Sequence, residues 1–563
     1  MPDATECKQR ILSEDYQDFI IRSFGSFWKD LLMNDFCQMQ LDYSYQILYL
    51  GQENIGSRQL FQFPYNSIPR CYAPLDMEAL QQAGISEVQS LPGLEISGEG
   101  VIIGFLDSGI NYKDPVFRNL DGTTRILSIW DQTIQTGNPP EGILYGSEYT
   151  KEQIDEALRA ENPEEIVPSM DQDGHGTFMA SIACGSGNPE NQFLGAAPEA
   201  DIMVVKLKEA KQYLRDFYFI KPEASCYQEN DVMAALFYLY HAARNANKPL
   251  VVCVTLGSNM GGHNGSNPLS AYMEVMGNHS GIGLAAGVGN EADKRHHYMG
   301  AVTSNSGEEI EISVGDRVAG FTMELWTDIP NIFAVSIISP TGEQSRRIAI
   351  REGEGMYNFV FENTDVYVVY RLLVETTNSQ LIFLRFAHPL SGIWRVRVEP
   401  IQLENGSFHA WLPMEEFLTG EVYFLRSNPD YTITAPGNTK AAACVAYYNG
   451  ADNSIAVSSG RGYTRLNEIK PDFAAPGVGV TGVNLRGQFT TRSGSSVATA
   501  LTAGAEALLM EWLYGEGSTP DSVQLKNYLI LGAERGSGRM YPNREWGYGT
   551  LDLYHTFEAV RRL

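Results

Sequence analysis

Residues 98–109, with the sequence GEGVIIGFLDSG, hold a continuous apolar run that ends at Asp107 and a glycine turn. An uninterrupted apolar strand is typical of a parallel sheet that is buried on both faces, and a polar residue at its end lies where such sheets bind ligands. Three further runs have the same character, at 201–207, 250–256 and 281–287. Residues 230–245 have helical apolar spacing. Strands that alternate with helices predict a doubly wound α/β sheet.

The pattern changes to alternating strands between Ala301 and Arg426, and α/β character returns after Ala435. Short alternating runs separated by turns, without a long helix, predict an inserted antiparallel β-sandwich, of the jelly-roll kind. Three of its aromatic side chains favour a core role, with carbohydrate binding as the alternative: Trp326, Trp394 and Trp411. The predicted domains are an N-terminal α+β module at 1–82, the α/β domain at 83–300 and 431–563, and the sandwich at 301–430.

Within the N-terminal module, the apolar spacing predicts a helix over 13–32 and a strand over 45–50. The seven cysteines of the chain are scattered, odd in number and without a CxxC pair. Several lie in apolar runs, which favours buried, reduced thiols in a compartment poor in disulfides.

The chain carries a formal net charge of -27. Such an acidic protein is a poor general partner for nucleic acid or an anionic membrane. The first residues show no basic segment followed by an apolar core, and no apolar run reaches membrane-spanning length. The sequence therefore predicts a protein without a signal peptide, and neither nucleic-acid nor membrane partners.

Three separate motifs carry residues for nucleophilic catalysis: Asp107 at a strand end, His175 in DGHGT at 173–177, and Ser496 in GSS at 494–496. A hydroxyl needs a base in contact, and the base needs a carboxylate to fix its tautomer. Each residue has an alternative interpretation, since Asp107 could form a turn, His175 could lie in a turn or bind a metal, and Ser496 could cap a helix. The order Asp, His, Ser is one of the known orders for a catalytic triad.

In these motifs the chain resembles the subtilisin-like serine proteases. The matching segments are FLDSGI at 105–110, DGHGT at 173–177 and GSSVA at 494–498, with Ser495 where threonine is usual and Ala500 where proline is usual. The resemblance implies a serine endopeptidase in which Asp107 orients His175 and His175 activates Ser496.

The segment GVGNE at 287–291 resembles the family's oxyanion turn, which implies that Asn290 donates to the oxyanion; a structural turn asparagine is the alternative. By the same resemblance, the substrate-binding residues are Leu256, Gly257, Ser258, Gly287 and Gly289. No cofactor or metal is expected. Calcium, which needs six to eight oxygen ligands, is left open although the loop at 185–195 lacks a cluster of carboxylates.

The β-rich insertion and the N-terminal module narrow the resemblance to the Csp-type germination proteases of clostridia and related Firmicutes. It implies that residues 1–82 are a prodomain, an intramolecular inhibitor whose tail at 75–82 lies in the cleft, with self-cleavage between Gln82 and Ala83. It also implies limited proteolysis of a protein substrate, such as a zymogen, in the cytoplasm or the spore. The alternative is a regulatory pseudoprotease that keeps its prodomain.

Overall fold

The computed structural model describes residues 4–22, 28, 36–41, 44–51, 55–56, 58–74, 83–89, 96–303, 307–348, 353–375 and 377–562 of the 563-residue chain. The N-terminal part contains α1 (Ala4–Leu12), β1 (Tyr16–Ile21), β2 (Cys37–Gln40), β3 (Gln46–Gly51), β4 (Cys71–Pro74) and α2 (Ile85–Gln89). Strands β1, β3 and β2 form an antiparallel sheet in that order, whereas β4 leaves the module and pairs elsewhere.

The first part of the α/β domain runs from residue 98 to the end of β12. Its elements are β5 (Ile102–Asp107), β6 (Ile126–Asp131), β7 (Ser147–Thr150), α3 (Lys151–Arg159), α4 (His175–Cys184), β8 (Asp201–Lys206), α5 (Gln212–Tyr218), β9 (Tyr227–Gln228), α6 (Glu229–Asn245), β10 (Leu250–Val254), β11 (Leu256–Gly257), α7 (Pro268–Gly277) and β12 (Ile282–Gly287).

The inserted strands are β13 (His297–Ala301), β14 (Glu308–Val314), β15 (Gly320–Asp328), β16 (Ile332–Ile338), β17 (Glu354–Phe359), β18 (Thr364–Arg371), β19 (Ser379–Ala387), β20 (Gly392–Gln402), β21 (Ser407–Trp411) and β22 (Val422–Phe424). They form two antiparallel sheets, in the orders β13-β21-β15-β19-β18-β17 and β16-β20-β14-β22. Apolar side chains from both sheets share one core, so the predicted antiparallel insertion is present.

The chain then returns to the α/β domain. The remaining elements are β23 (Ala443–Asn449), β24 (Ser454–Ile455), β25 (Phe473–Pro476), β26 (Val480–Val483), β27 (Phe489–Arg492), α8 (Ser495–Gly515), α9 (Ser522–Gly532) and α10 (Leu553–Val560). Among the described residues, the main sheet has nine strands, with β24-β23-β12-β10-β5-β8-β6-β7 in order and β25 beside β23. Most of its pairs are parallel, as the continuous apolar runs predict, and the α/β fold class is confirmed.

Two cores form because successive side chains of each strand point to opposite faces of this sheet. In β5, Ile103 and Phe105 pack with α4 and α8, whereas Ile102 and Leu106 pack with α6 and α7. The N-terminal module covers the second face, where Tyr49 joins the same core. The carboxyl end of β5 and the first turns of α4 and α8, which carry the three motifs, therefore belong to elements that share one core.

Two predictions for the N-terminal module are wrong. Residues 16–21 form strand β1 rather than part of a helix, because they pair along their whole length with β3. The other residues at 23–27 and 29–32 of the predicted helix lie outside the described part. Cys7 and Cys37 form a disulfide between α1 and β2, contrary to the predicted set of reduced thiols, while five other cysteines are free and buried.

Candidate active site

Asp107 ends β5 near the middle of the sheet and is 1% exposed. Its Oδ1 accepts a hydrogen bond from the Ser108 backbone N–H at 2.7 Å, and its Oδ2 accepts one from Thr255 Oγ1 at 2.6 Å. A buried carboxylate needs such donors because desolvation disfavours its charge. These contacts fix the carboxylate plane at the carboxyl edge of the sheet.

His175 is the first residue of α4 and faces this carboxylate. Its Nδ1 lies 2.8 Å from both Asp107 oxygens. The chain enters the helix through Gly174, whose φ of 89° lies in the left-handed region that glycine tolerates. The glycine before the histidine therefore serves a turn that aims the imidazole at Asp107.

Ser496 lies in the first turn of α8 and is fully buried. Its Oγ is 3.3 Å from His175 Nε2 and 3.3 Å from the Thr255 carbonyl oxygen. The structure thus brings the three residues from the separate motifs into one chain of contacts. The first turn of a helix also offers backbone N–H groups without intrahelical acceptors, at the positive end of the helix dipole.

The neighbours of Asp107 favour the ionised form of its carboxyl. Burial alone would raise its pKa, but the charge and hydrogen bond of His175, together with the donors Thr255 and Ser108, hold the pKa below its ordinary value. Asp107 is therefore ionised at neutral pH and holds the proton of His175 on Nδ1. Nε2 then faces Ser496 as an acceptor, the form required of a general base.

Asn290 lies beside the serine helix, on the loop that follows β12. Its side-chain Oδ1 accepts a hydrogen bond from the Ser495 backbone N–H at 3.1 Å. The preceding residue, Gly289, donates its N–H to Ser495 Oγ at 3.0 Å. The acceptor end of this side chain is thus bonded to the start of α8, and the amide Nδ2 is its donor end.

The predicted substrate-binding residues are distributed around Ser496. Leu256 and Gly257 form β11, directly after Thr255, and Ser258 exchanges two backbone hydrogen bonds with Ala435 at 2.9 Å each. Gly287 ends β12, and Gly289 contacts Ser495 as described above. All five therefore lie in two segments, 256–258 and 287–289, whose members or neighbours contact the start of α8.

The edge strand β11 is occupied by the N-terminal part of the same chain. Strand β4 (Cys71–Pro74) pairs antiparallel with β11 on one side, with Leu256 opposite Pro74 and Gly257 opposite Ala73. On its other side it pairs with β9, with Cys71 opposite Gln228. An extended segment held between two strands is the arrangement of a bound peptide.

Ala83, the described residue of the predicted self-cleavage bond, lies away from this site. Gln82 and the predicted tail at 75–82 lie outside the described residues. Ala83 is buried, and its carbonyl oxygen accepts the N–H of Leu553 at the start of α10. Helix α10 packs on the far end of α8, where Phe557 contacts Trp512 with ring centroids 5.0 Å apart. At 1.5 Å per residue, Trp512 lies about 24 Å along the helix from Ser496.

Two residues that hold this site together were missed by the sequence reasoning. Asp171 accepts five hydrogen bonds from the turn before α4 and from Ser108 and Thr177, at 2.6 to 3.1 Å. Thr255 joins Asp107 and Ser496 as described above. Asp171 precedes the motif by only two residues, so an acid just before a glycine turn was the available signal.

No group of three or more histidine, cysteine or acidic side chains in the described ranges is arranged to hold a metal ion. Across that same part of the chain, no helix combines the length and the apolar character needed to cross a bilayer.

The chain belongs to the subtilase family, because the model of that family matches residues 98–344 and 419–549, more than half of its length. It is a serine protease of the subtilisin type. A similar solved structure is the CspB protease of Clostridium perfringens, 30% identical, with a TM-score of 0.76 over 85% of this chain and 98% of that one.

Short segments of the chain are also similar to eukaryotic proteases. Subtilisin-like protease SBT2.2 of Arabidopsis thaliana is 30% identical over 131 residues, which are 20% of this chain and 15% of that protein. Membrane-bound transcription factor site-1 protease of Homo sapiens is 32% identical over 116 residues, 19% of this chain and 11% of that protein. The chain thus spans a small part of the length of these curated relatives.

Proposed function

We propose that this serine protease is an endopeptidase with Asp107, His175 and Ser496 as its catalytic triad. The observation that carries the proposal is the 3.3 Å contact between His175 Nε2 and Ser496 Oγ, with Nδ1 on both oxygens of Asp107. Ser496 Oγ attacks the peptide carbonyl as its proton passes to His175, which returns the proton to the leaving amine. Water then hydrolyses the acyl-enzyme by the same route.

Asn290 Nδ2 and the Ser496 backbone N–H are the proposed donors to the oxyanion of the tetrahedral intermediate. The contacts of Asn290 with Ser495 support this role, because they orient the amide before substrate arrives. Donors fixed in a site that excludes water cost no reorganisation when charge develops. The burial of Ser496 supports the same interpretation.

The proposed substrate is a protein that presents an extended segment to β11 and β9. The pairing of β4 with these strands supports the view that the N-terminal module acts as an intramolecular inhibitor. Limited proteolysis of a zymogen, in the cytoplasm or in a spore, is the biological role that the sequence resemblance to the Csp-type germination proteases implies. The similarity to the CspB protease supports the protease activity itself.

We also propose that the chain cleaves itself after Leu75, upstream of the Gln82–Ala83 bond inferred from the sequence. In the antiparallel register Ala73 lies opposite Gly257 and Pro74 opposite Leu256. Leu256 follows Thr255, whose carbonyl contacts Ser496. Because β4 ends at Pro74, beside this contact, the bond proposed for cleavage follows one residue later in the sequence.

The experiment compares wild type with Ser496→Ala by intact mass and N-terminal sequencing. We expect a new N-terminus at Asp76 in wild type and an uncut 62.4 kDa chain in the variant. Ser493→Ala, three residues upstream, is the matched control and should process like wild type. A cut before Ala83 would overturn the register argument, and cleavage that persists in Ser496→Ala would overturn self-processing.

A regulatory binding protein with a silent triad is the second candidate. Buried ion pairs between the N-terminal module and the α/β domain favour it. Asp18 Oδ1 lies 2.5 Å from Lys211 Nζ, and Arg70 lies 3.2 Å from Glu229, all with buried side chains. Such pairs would keep the module in place after cleavage. A fluorophosphonate probe decides between the two: labelling of Ser496 after proteolytic removal of the module supports the enzyme, and its absence supports the binding protein.

A further inference from the structure

We propose that Glu291 and His296 are positioning residues for Asn290, through which the inserted sandwich holds the oxyanion donor in place. The inference rests on the proposed role of Asn290. It assigns a function in the reaction to an insertion whose strands otherwise lie outside the catalytic contacts.

Glu291 is the residue directly after Asn290, and its side chain is 1% exposed. Its Oε2 accepts a hydrogen bond from His296 Nδ1 at 2.7 Å and one from Asn259 Nδ2 at 2.8 Å. A carboxylate taken out of water is stable only where such donors surround it. The backbone at position 291 is therefore held by two side chains from different segments.

Asn290 is consequently fixed from both sides. On the serine side, its Oδ1 and the N–H of Gly289 are bonded to Ser495. On the opposite side, the buried carboxylate of Glu291 prevents the loop from turning, because rotation would separate that carboxylate from its donors. An oxyanion donor must be placed before the reaction to be effective. The two anchors supply that placement without touching the substrate.

The second anchor belongs to the sandwich. His296 immediately precedes β13, the first strand of the six-stranded sheet, and its carbonyl oxygen accepts the N–H of Leu412 after β21 at 2.9 Å. A third link comes from the Glu415 N–H, which reaches Glu291 Oε1 at 3.5 Å. Asn259 follows the substrate strand β11 by two residues. The carboxylate of Glu291 therefore joins the loop that carries Asn290, the segment that follows β11 and the inserted sandwich.

The test measures hydrolysis of a synthetic peptide with the sequence of residues 68–88 by the full-length protein after self-processing. We expect His296→Ala and Glu291→Gln to lower kcat about 10- to 100-fold, less than the 10²–10³ typical of losing an oxyanion donor. KM should stay within about threefold, because these residues make no substrate contact. Glu309→Gln, which removes an exposed pair with Arg397 in the same sandwich, is the matched control.

His296→Asn distinguishes positioning from general destabilisation. Its amide can donate to Glu291 from nearly the same place as Nδ1, so we expect most of the kcat lost in His296→Ala to return. The variants should also weaken inhibition by a peptide aldehyde, which forms an oxyanion with Ser496, while binding of the corresponding peptide amide stays unchanged. Equal losses for both inhibitors would overturn the proposal.

A double-mutant cycle with Asn290→Ala completes the test. If His296 acts through Asn290, its replacement should cost nothing further in the Asn290→Ala background. A loss in kcat that persists in that background, or wild-type kcat in His296→Ala, overturns the positioning role while leaving the oxyanion assignment intact. Wild-type kcat in Asn290→Ala itself would instead overturn the assignment of Asn290.

Discussion

Asp107→Asn is expected to lower kcat about 10⁴-fold at neutral pH while the protein stays folded, by analogy with the same change in another serine protease. The carboxylate accepts a hydrogen bond from His175 Nδ1–H with both oxygens and a further one from Thr255 Oγ1. An amide in this position offers one acceptor and two donors. Its NH₂ group would favour the tautomer in which Nδ1 is the acceptor and Nε2 carries the proton, so His175 could no longer take the proton of Ser496.

Peptide hydrolysis between pH 6 and 9 is the measurement for Asp107→Asn, with a thermal unfolding curve to check the fold. Glu164→Gln, which removes an exposed ion pair with Lys113, is the control and should retain wild-type kcat. KM is expected to change little, since Asp107 is buried behind His175. A decrease in kcat of less than tenfold would show that Asp107 does not set the tautomer of His175.

The motif residues could be predicted from sequence because each carries a local signal. An apolar strand ending in Asp107, a glycine-flanked His175 and a serine turn before an apolar helix are visible without knowledge of the fold. Thr255 has no such signal, since a threonine after an apolar strand is also ordinary packing. Its contact with Asp107 arises from the pairing of β10 beside β5, which brings two distant strand ends together.

The N-terminal module was the least predictable part for the same reason. Residues 16–21 have apolar spacing compatible with a helix, but they form a strand because they pair with β3. Cys7 and Cys37 are 30 residues apart, and nothing in an odd set of seven cysteines indicates which two are paired. The position of β4 in the cleft depends on strands β9 and β11, which are two residues long and carry no periodic signal.

The tryptophans of the insertion could be assigned from their context. Trp326, Trp394 and Trp411 were predicted to be core, and they are 1%, 0% and 2% exposed. Trp411 is stacked between His263 and His297, with ring centroids 4.1 and 4.8 Å away. Rings enclosed in this way offer no face to a sugar, so these residues give the carbohydrate-binding alternative no support.

Glu506→Met is expected to raise the stability of the protein at pH 7 by about 3 kcal/mol. Glu506 lies on α8, ten residues after Ser496, and is fully buried against Gly283 of β12. Neither of its carboxyl oxygens has a hydrogen-bond partner among the described residues. Burial, reinforced by the negative charge of Asp472 and opposed by Lys526, raises its pKa from 4.5 to about 8. Methionine has a similar length and removes both unpaired oxygens.

The pH dependence tests this explanation of Glu506. An acid whose pKa is higher in the folded state binds its proton more tightly there, so stability is full below pH 4.5 and is lost progressively as pH rises towards 8. Above about pH 8 the loss is complete and constant.

The thermal midpoint of wild type should therefore fall relative to that of Glu506→Met between pH 5 and 8, whereas Glu516→Gln, at the exposed end of α8, should follow wild type. Parallel curves for wild type and Glu506→Met would show that Glu506 is already ionised in the folded protein at pH 5. Glu506 lies about 15 Å along the helix from Ser496. The gain in stability should therefore come without loss of kcat.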